Sequence, residues 1–243
     1  MGVLSTSPHD LSIERPAMKC LSNGLFICIV LYSAIHGSTN TSDTLIYQTI
    51  AGTDTSSTIF IISELEYGKK ASAKYIRGGI SSISEVFMTD NFLTKTWRYQ
   101  SDQDKSNLSG TLAKDTLILK GIFKNKIVDK KLRLNSIVWK QMFPFDLRKF
   151  VLSDSIATSF CGISILEIAN MRLGTLDVKK IGTEQVTING KDQELLHIKV
   201  APAGVFSVFW HGDYWFRKSC GTMVKSVSVD YPGSPPVVSI LAD

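Results

Sequence analysis

Residues 115–134 read DTLILKGIFKNKIVDKKLRL. Leu117, Leu119 and Phe123 fall on one parity, and beyond Asn125 and its lysine neighbours Val128, Leu132 and Leu134 fall on one parity against Asp129, Lys131 and Arg133. A period of two with one apolar side predicts an antiparallel hairpin with one dry and one wet face. A second hairpin is signalled at 184–200, where the turn pair Asn189-Gly190 separates two runs and Leu196, Ile198 and Val200 share a face.

The same alternation predicts strands at 44–50, 57–67, 71–77, 95–101, 164–170, 214–218, 223–229 and 237–241, about ten strands in a meander. Two stretches depart from it. Ile80, Ile83, Val86 and Phe87, and again Leu147, Phe150 and Val151 after Pro144, recur at three and four, which predicts short amphipathic helices against the sheet. A long antiparallel sheet with one apolar face must close, stack or be covered. The expected fold is therefore mainly β: a curved antiparallel sheet forming a closed or half-closed barrel, with one to three short helices as plug or lid.

The composition agrees with one compact core: 243 residues, 44% hydrophobic, 20% charged, with 17 glycines and 7 prolines. Met18-Lys19 precede an uncharged apolar run at 25–35, LFICIVLYSAI. That run is shorter than the roughly 20 residues of a membrane-spanning helix and has the outline of a signal peptide. Residues 1–38 are read as a leader with a signal peptide at about 18–38, and 39–243 as a single β-rich domain. The expected location is periplasmic or otherwise exported, with an uncleaved segment as membrane anchor the alternative. Past the leader 25 basic and 20 acidic residues keep the net charge at +5, which favours anionic surfaces without requiring them. The basic cluster Lys124, Lys126, Lys130, Lys131 and Arg133 reads as a solvated outer face, and export argues against nucleic acid as a partner.

Catalytic signatures are missing. There is no nucleophile elbow, zincin helix, P-loop or dinucleotide fingerprint, and the two histidines past the leader, His197 and His211, read as a solvated strand residue and a turn residue. Asp102 and Asp104 read as a solvated pair in a polar loop. Cys161 and Cys220, the two cysteines past the leader, form no close ligand pair, so no metal and no cofactor are expected. In an oxidising compartment they could make one bridge or stay two thiols. The aromatic residues Trp97, Tyr99, Trp139, Phe143, Trp210, Tyr214 and Trp215 are candidates either to fill the core or to line an apolar groove.

Thr96-Trp97-Arg98-Tyr99, the hairpin at 117–134, Gly182-Thr183-Glu184 before Asn189-Gly190, Phe209-Trp210, Tyr214-Trp215-Phe216-Arg217-Lys218 and Pro232-Gly233-Ser234-Pro235-Pro236 occur in this order. Over about 43–243 the chain resembles a family of exported bacterial proteins of unknown function. That family is similar in fold to the periplasmic lipoprotein-localisation carriers, whose curved sheet wraps an apolar cavity closed by helices. The resemblance implies a fold and an address but no catalytic residues. It also marks Cys220 as a departure from the polar residue usual in that turn, which makes a bridge to Cys161 particular to this sequence. The expected function is a non-enzymatic periplasmic binding protein with an apolar groove for an acyl chain, a lipid or a lipidated partner. The alternative is a structural or interaction protein of the cell envelope with a filled core and a protein partner.

Overall fold

A computed structural model of the chain describes residues 42–163, 173–204, 207, 211–229 and 233–242. Eight strands follow one another: β1 (Ser42–Ala51), β2 (Asp54–Leu65), β3 (Gly68–Arg77), β4 (Ile80–Met88), β5 (Thr94–Ser101), β6 (Ser106–Ala113), β7 (Thr116–Phe123) and β8 (Lys126–Arg133). Two single-turn helices come next, α1 (Phe143–Asp146) and α2 (Arg148–Val151). Six strands complete the chain: β9 (Ala157–Ile163), β10 (Leu173–Ile188), β11 (Lys191–Pro202), β12 (Gly212–Phe216), β13 (Met223–Val229) and β14 (Pro236–Leu241).

All of them join one antiparallel sheet in the order β8-β7-β6-β5-β4-β3-β2-β1-β14-β13-β12-β11-β10-β9. Each neighbour pair is a sequential hairpin except β1 with β14, which brings the two halves of the chain together at the centre of the sheet. Tight turns set the register: Lys124 and Asn125 both have positive φ between β7 and β8, as do Asn189 and Gly190 between β10 and β11.

The sheet must curl. Phe145 of α1 packs edge-on against Phe60 of β2, and Phe143 packs against Phe160 of β9, with centroids 5.1 and 5.0 Å apart. β2 and β9 stand seven places apart in the sheet order, roughly 34 Å if it were flat. One helical turn reaches both, so the inner face wraps around α1 and α2. Phe145, Leu147, Phe150 and Val151 are buried there in one core with Tyr47, Trp97, Leu108, Leu119, Phe160 and Phe216. The helices after Pro144 are thus realised as the plug that the sequence predicts.

The sheet stays open, with β8 and β9 as its edges. The chain leaving β8 covers one of them: Trp139 makes a parallel bridge with Cys161 of β9, the Cys161 N–H donating to Val138 O and the Lys140 N–H to Cys161 O, each at 2.9 Å. Gly110 makes room for this return, since a Cβ there would sit 3.1 Å from Leu119 and 3.4 Å from the Trp139 ring.

Several expectations change. The helix expected over Ile80, Ile83, Val86 and Phe87 is strand β4. Val86 and Met88 point inward with Ser84, while Ile83 and Phe87 alternate outward, so the three-and-four spacing arises from two apolar faces. Buried Ser84 hid the period of two because it answers a buried donor, accepting from Trp97 Nε1 at 2.9 Å. β6 and β9 are additional strands, and the strand expected at 164–170 lies outside the described residues. Cys161 and Cys220 are free thiols. Cys161 pairs with Thr175 of β10, whereas Phe216, before the turn that holds Cys220, lies level with Leu196 and hence with Thr183. The offset is eight positions of β10, about 25 Å of extended chain, against the roughly 7 Å that a bridge spans between Cα atoms. Among the described residues no helix is long and apolar enough to cross a membrane, which says nothing of crossing by strands.

Candidate ligand pocket

The aromatic candidates do not share one groove. Trp97 and Trp139 are each 1% exposed and fill the core, Trp97 stacked on Tyr99 with centroids 6.3 Å apart and Trp139 donating its indole N–H to Gln141 Oε1 at 3.1 Å. Phe143 and Tyr214 pack half-buried against the same core. Trp215 is on the outer face, and Trp210 lies outside the described residues. Among the described candidates Tyr99 alone lines a cavity at the end of the sheet where β3 and β5 finish.

That cavity, about 380 Å³, opens where the β3–β4 and β5–β6 turns meet. The strand register builds it: Tyr75 opposes Ser82, Ser82 opposes Ser101, and Tyr99 stands one inward position further along β5. Tyr75, Ile80 and Tyr99 supply its apolar wall, while Arg77, Gln103 and Asp104 supply polar groups. Burial first and Tyr99 second push the Tyr75 hydroxyl up to about 12, although 42% of the residue is exposed. Tyr99 is also held above the usual phenol value, chiefly by burial and then by Asp104.

Asp104 is the unusual member. Tyr99 donates its hydroxyl to Asp104 Oδ2 at 3.4 Å, while Oδ1 is buried without a hydrogen-bond partner, alone in this among the buried side-chain polar atoms of the described residues. Such an atom calls for an explanation, because an unmet acceptor loses its water and gains nothing in return. Asp102 and Asp104 read in sequence as a solvated pair. The structure separates them: Asp102 is exposed and Asp104 turns inward. Arg77 pairs with Asp54 at the rim.

Another cavity, about 220 Å³, lies at the other end between Leu93, Lys95, Leu112, Leu134 and Trp139. It holds no unpaired buried polar side chain among the described residues.

His197 is not simply solvated. Its side chain is 18% exposed, with Nδ1 2.8 Å from Glu184 Oε1 and Nε2 2.7 Å from Asp213 Oδ1. Its ring stacks on Trp215 with centroids 4.9 Å apart, and Trp215 donates its indole N–H to the same Glu184 oxygen at 2.8 Å. Lys225 lies 5.0 Å from the Trp215 centroid, and His211 Nε2 is 3.5 Å from Asp213 Oδ2. A bulge between Lys180 and Gly182 places this set beside a small outer core of Ile188, Leu195 and Val224. Each ring nitrogen of His197 thus faces a carboxylate oxygen. The carboxylates flank the ring from two sides and do not converge, and no metal-ligand cluster occurs among the described residues.

No protein-family model matches the chain, and no curated protein is significantly similar to it. A crystal structure of a β-barrel-like protein of the domain of unknown function DUF1849 from Brucella abortus is similar in fold, with TM-score 0.57 and 11% identity, covering 82% of this chain and 95% of its own. The hypothetical lipoprotein YmcC from Escherichia coli aligns with TM-score 0.38 and 13% identity over 88% of this chain and 92% of its own. A DUF1089 family protein from Pseudomonas aeruginosa aligns with TM-score 0.35 and 10% identity over 87% and 98%. The β-barrel-like fold is thus shared with the first. The other two superpose too loosely to support more.

Proposed function

We propose that this protein is a non-enzymatic, exported binding protein that takes a small amphiphile at the open end of its half-barrel. The apolar site lies at the mouth of the sheet, because the groove expected along the inner face is filled by Trp97, Trp139 and the α1–α2 plug. One observation carries the reading: the cavity of about 380 Å³ that joins the Tyr75, Ile80 and Tyr99 wall to the polar side chains of Arg77, Gln103 and Asp104. Ligand pockets run from roughly 300 to 1,000 Å³, so this one suits a single short chain or ring and not a whole diacyl lipid. Export is supported by Met18-Lys19 ahead of the apolar run at 25–35. A curled sheet with a helical plug is also the arrangement that the resemblance to lipoprotein carriers implies.

The probe N-phenyl-1-naphthylamine, neutral and fluorescent in apolar surroundings, tests this. Its emission is expected to rise on binding and to fall at least fivefold with Tyr75→Ala, which removes the exposed wall of the pocket. No rise with the unaltered protein would count against a ligand site. The filled core favours a second reading, an interaction protein of the cell envelope, and recovery of a crosslinked protein partner together with a dark probe would select it.

A further inference from the structure

The charge of this chain is concentrated in one place. Residues 115–133, the β7–β8 hairpin with Asp115 ahead of it, carry six basic and two acidic side chains and so hold +4 of the net +5, leaving +1 for all the rest. Lys120, Lys124, Lys126 and Lys131 are exposed, and none of them makes an ion pair among the described residues. Arg133 pairs with Asp115 at 3.1 Å. Two apolar side chains stand amid this charge. Ile122 and Ile127 are directly opposite across the hairpin, so they share its outer face, and they are 45% and 88% exposed. Lys120 with Asp129 and then Ile118 with Lys131 are the next pairs on that face. A single exposed isoleucine is ordinary, whereas a pair among four unpaired lysines at a projecting turn combines the two features that hold a protein on an anionic membrane surface.

We infer that the outer face and tip of the β7–β8 hairpin dock on an anionic lipid bilayer, the lysines among the acidic headgroups and Ile122 and Ile127 at the boundary with the acyl chains. Each lysine brought to such a surface tightens binding about fivefold. Neighbouring elements do not cancel the charge. β6 presents Asn107, Ser109 and Thr111 beside Ile122, Lys120 and Ile118, and the exposed Asp102 and Lys105 of the β5–β6 turn offset each other. A second copy fits worse, because it would set the same lysines against one another. An acidic peptide or a polysaccharide would answer the lysines and leave Ile127 in water. The Lys124 N–H donates to Ser106 Oγ at 3.0 Å, which ties the hairpin tip to the β5–β6 turn that borders the cavity. Docking therefore brings the cavity mouth to the lipid, although it rests on the hairpin alone.

Sedimentation of the full chain with vesicles of phosphatidylcholine, with and without phosphatidylglycerol, tests the inference. Residues 1–38 hold two basic and two acidic side chains and are common to every arm, so they do not create a preference between variants. Binding is expected to be at least tenfold tighter with phosphatidylglycerol, and the gap is expected to close at high salt. Lys124→Gln combined with Lys126→Gln is expected to weaken binding to the anionic vesicles at least tenfold, and Ile127→Ser about threefold. Lys179→Gln combined with Lys191→Gln, which removes two exposed lysines of β10 and β11, is expected to change it less than twofold. All five positions are exposed, and unchanged melting temperatures keep folding out of the comparison. Equal binding of the unaltered protein to both vesicles, or a loss from the β10 and β11 pair as large as from the tip, overturns the docking. A loss with the tip lysines that Ile127→Ser does not share makes the hairpin a site for soluble polyanions and overturns it as well. N-phenyl-1-naphthylamine emission without vesicles is expected to be the same for all these variants, so failure of the docking leaves the cavity standing.

Discussion

Asp146 shows how one side chain holds the plug in the sheet. It is fully buried, and its Oδ2 accepts the N–H of Gln141 at 2.8 Å and of Met142, the N-cap of α1, at 2.5 Å, while Oδ1 accepts the Thr94 hydroxyl at 3.2 Å. Burial pushes its carboxyl from the usual 3.8 up to about 6, against the opposing pull of Lys140 and these hydrogen bonds. A raised carboxyl binds its proton more tightly in the folded chain than in the unfolded one. Its favourable contribution is therefore complete below about pH 3.8 and is lost as pH rises through about 6, on the order of 3 kcal/mol. Urea titrations at pH 4.5 and 7 are expected to show Asp146→Asn gaining on the unaltered protein as pH rises. An unchanged difference between the two would refute the assignment. Asp146→Ala leaves two backbone N–H groups without their acceptor and is expected to cost about 2–4 kcal/mol by the same titration. The sequence showed Pro144 and the apolar spacing behind it. It did not show that Asp146 would turn back to cap the break, because its burial and its third partner, Thr94, 52 residues away, come from the packing of the sheet.

Elements were legible where local chemistry decides them. The β10–β11 hairpin needed only Asn189-Gly190 between alternating runs, and both residues take the positive φ that such a turn requires. A Cβ at Gly190 would touch nothing within 4 Å, so Gly190→Ala isolates the backbone cost. It is expected to destabilise by about 1 kcal/mol in thermal unfolding, and a neutral result would mean that the turn carries no strain. β4 was misread for the opposite reason. Its inner face carries Ser82 and Ser84, and a serine that answers the Trp97 indole cannot be told from a solvated one by pattern. Asp104 misled in the same way, since a short acidic turn gives no sign of which carboxylate points inward.

At the scale of the molecule, the meander and its single dry face were readable, whereas the pairings that shape the sheet were not. β1 and β14 meet through Tyr47 with Leu241 and Ala51 with Val237, and Thr49 shares a hydrogen bond with Ser239 at 2.8 Å. No local signal announces partners 190 residues apart. Whether the inner face would be filled or hollow was equally hidden, since Trp97 and Trp139 serve a core or a groove with the same composition. The curl and the plug fill that face and leave the turn end open, so the binding capacity falls on Tyr75, Tyr99 and Asp104. Native mass spectrometry of the protein gently extracted from a native host is the most direct test of that claim. The predicted result is a single bound small molecule with one short chain, released by Tyr75→Ala. A bare mass from the unaltered protein, or a bound molecule that Tyr75→Ala leaves in place, would contradict it.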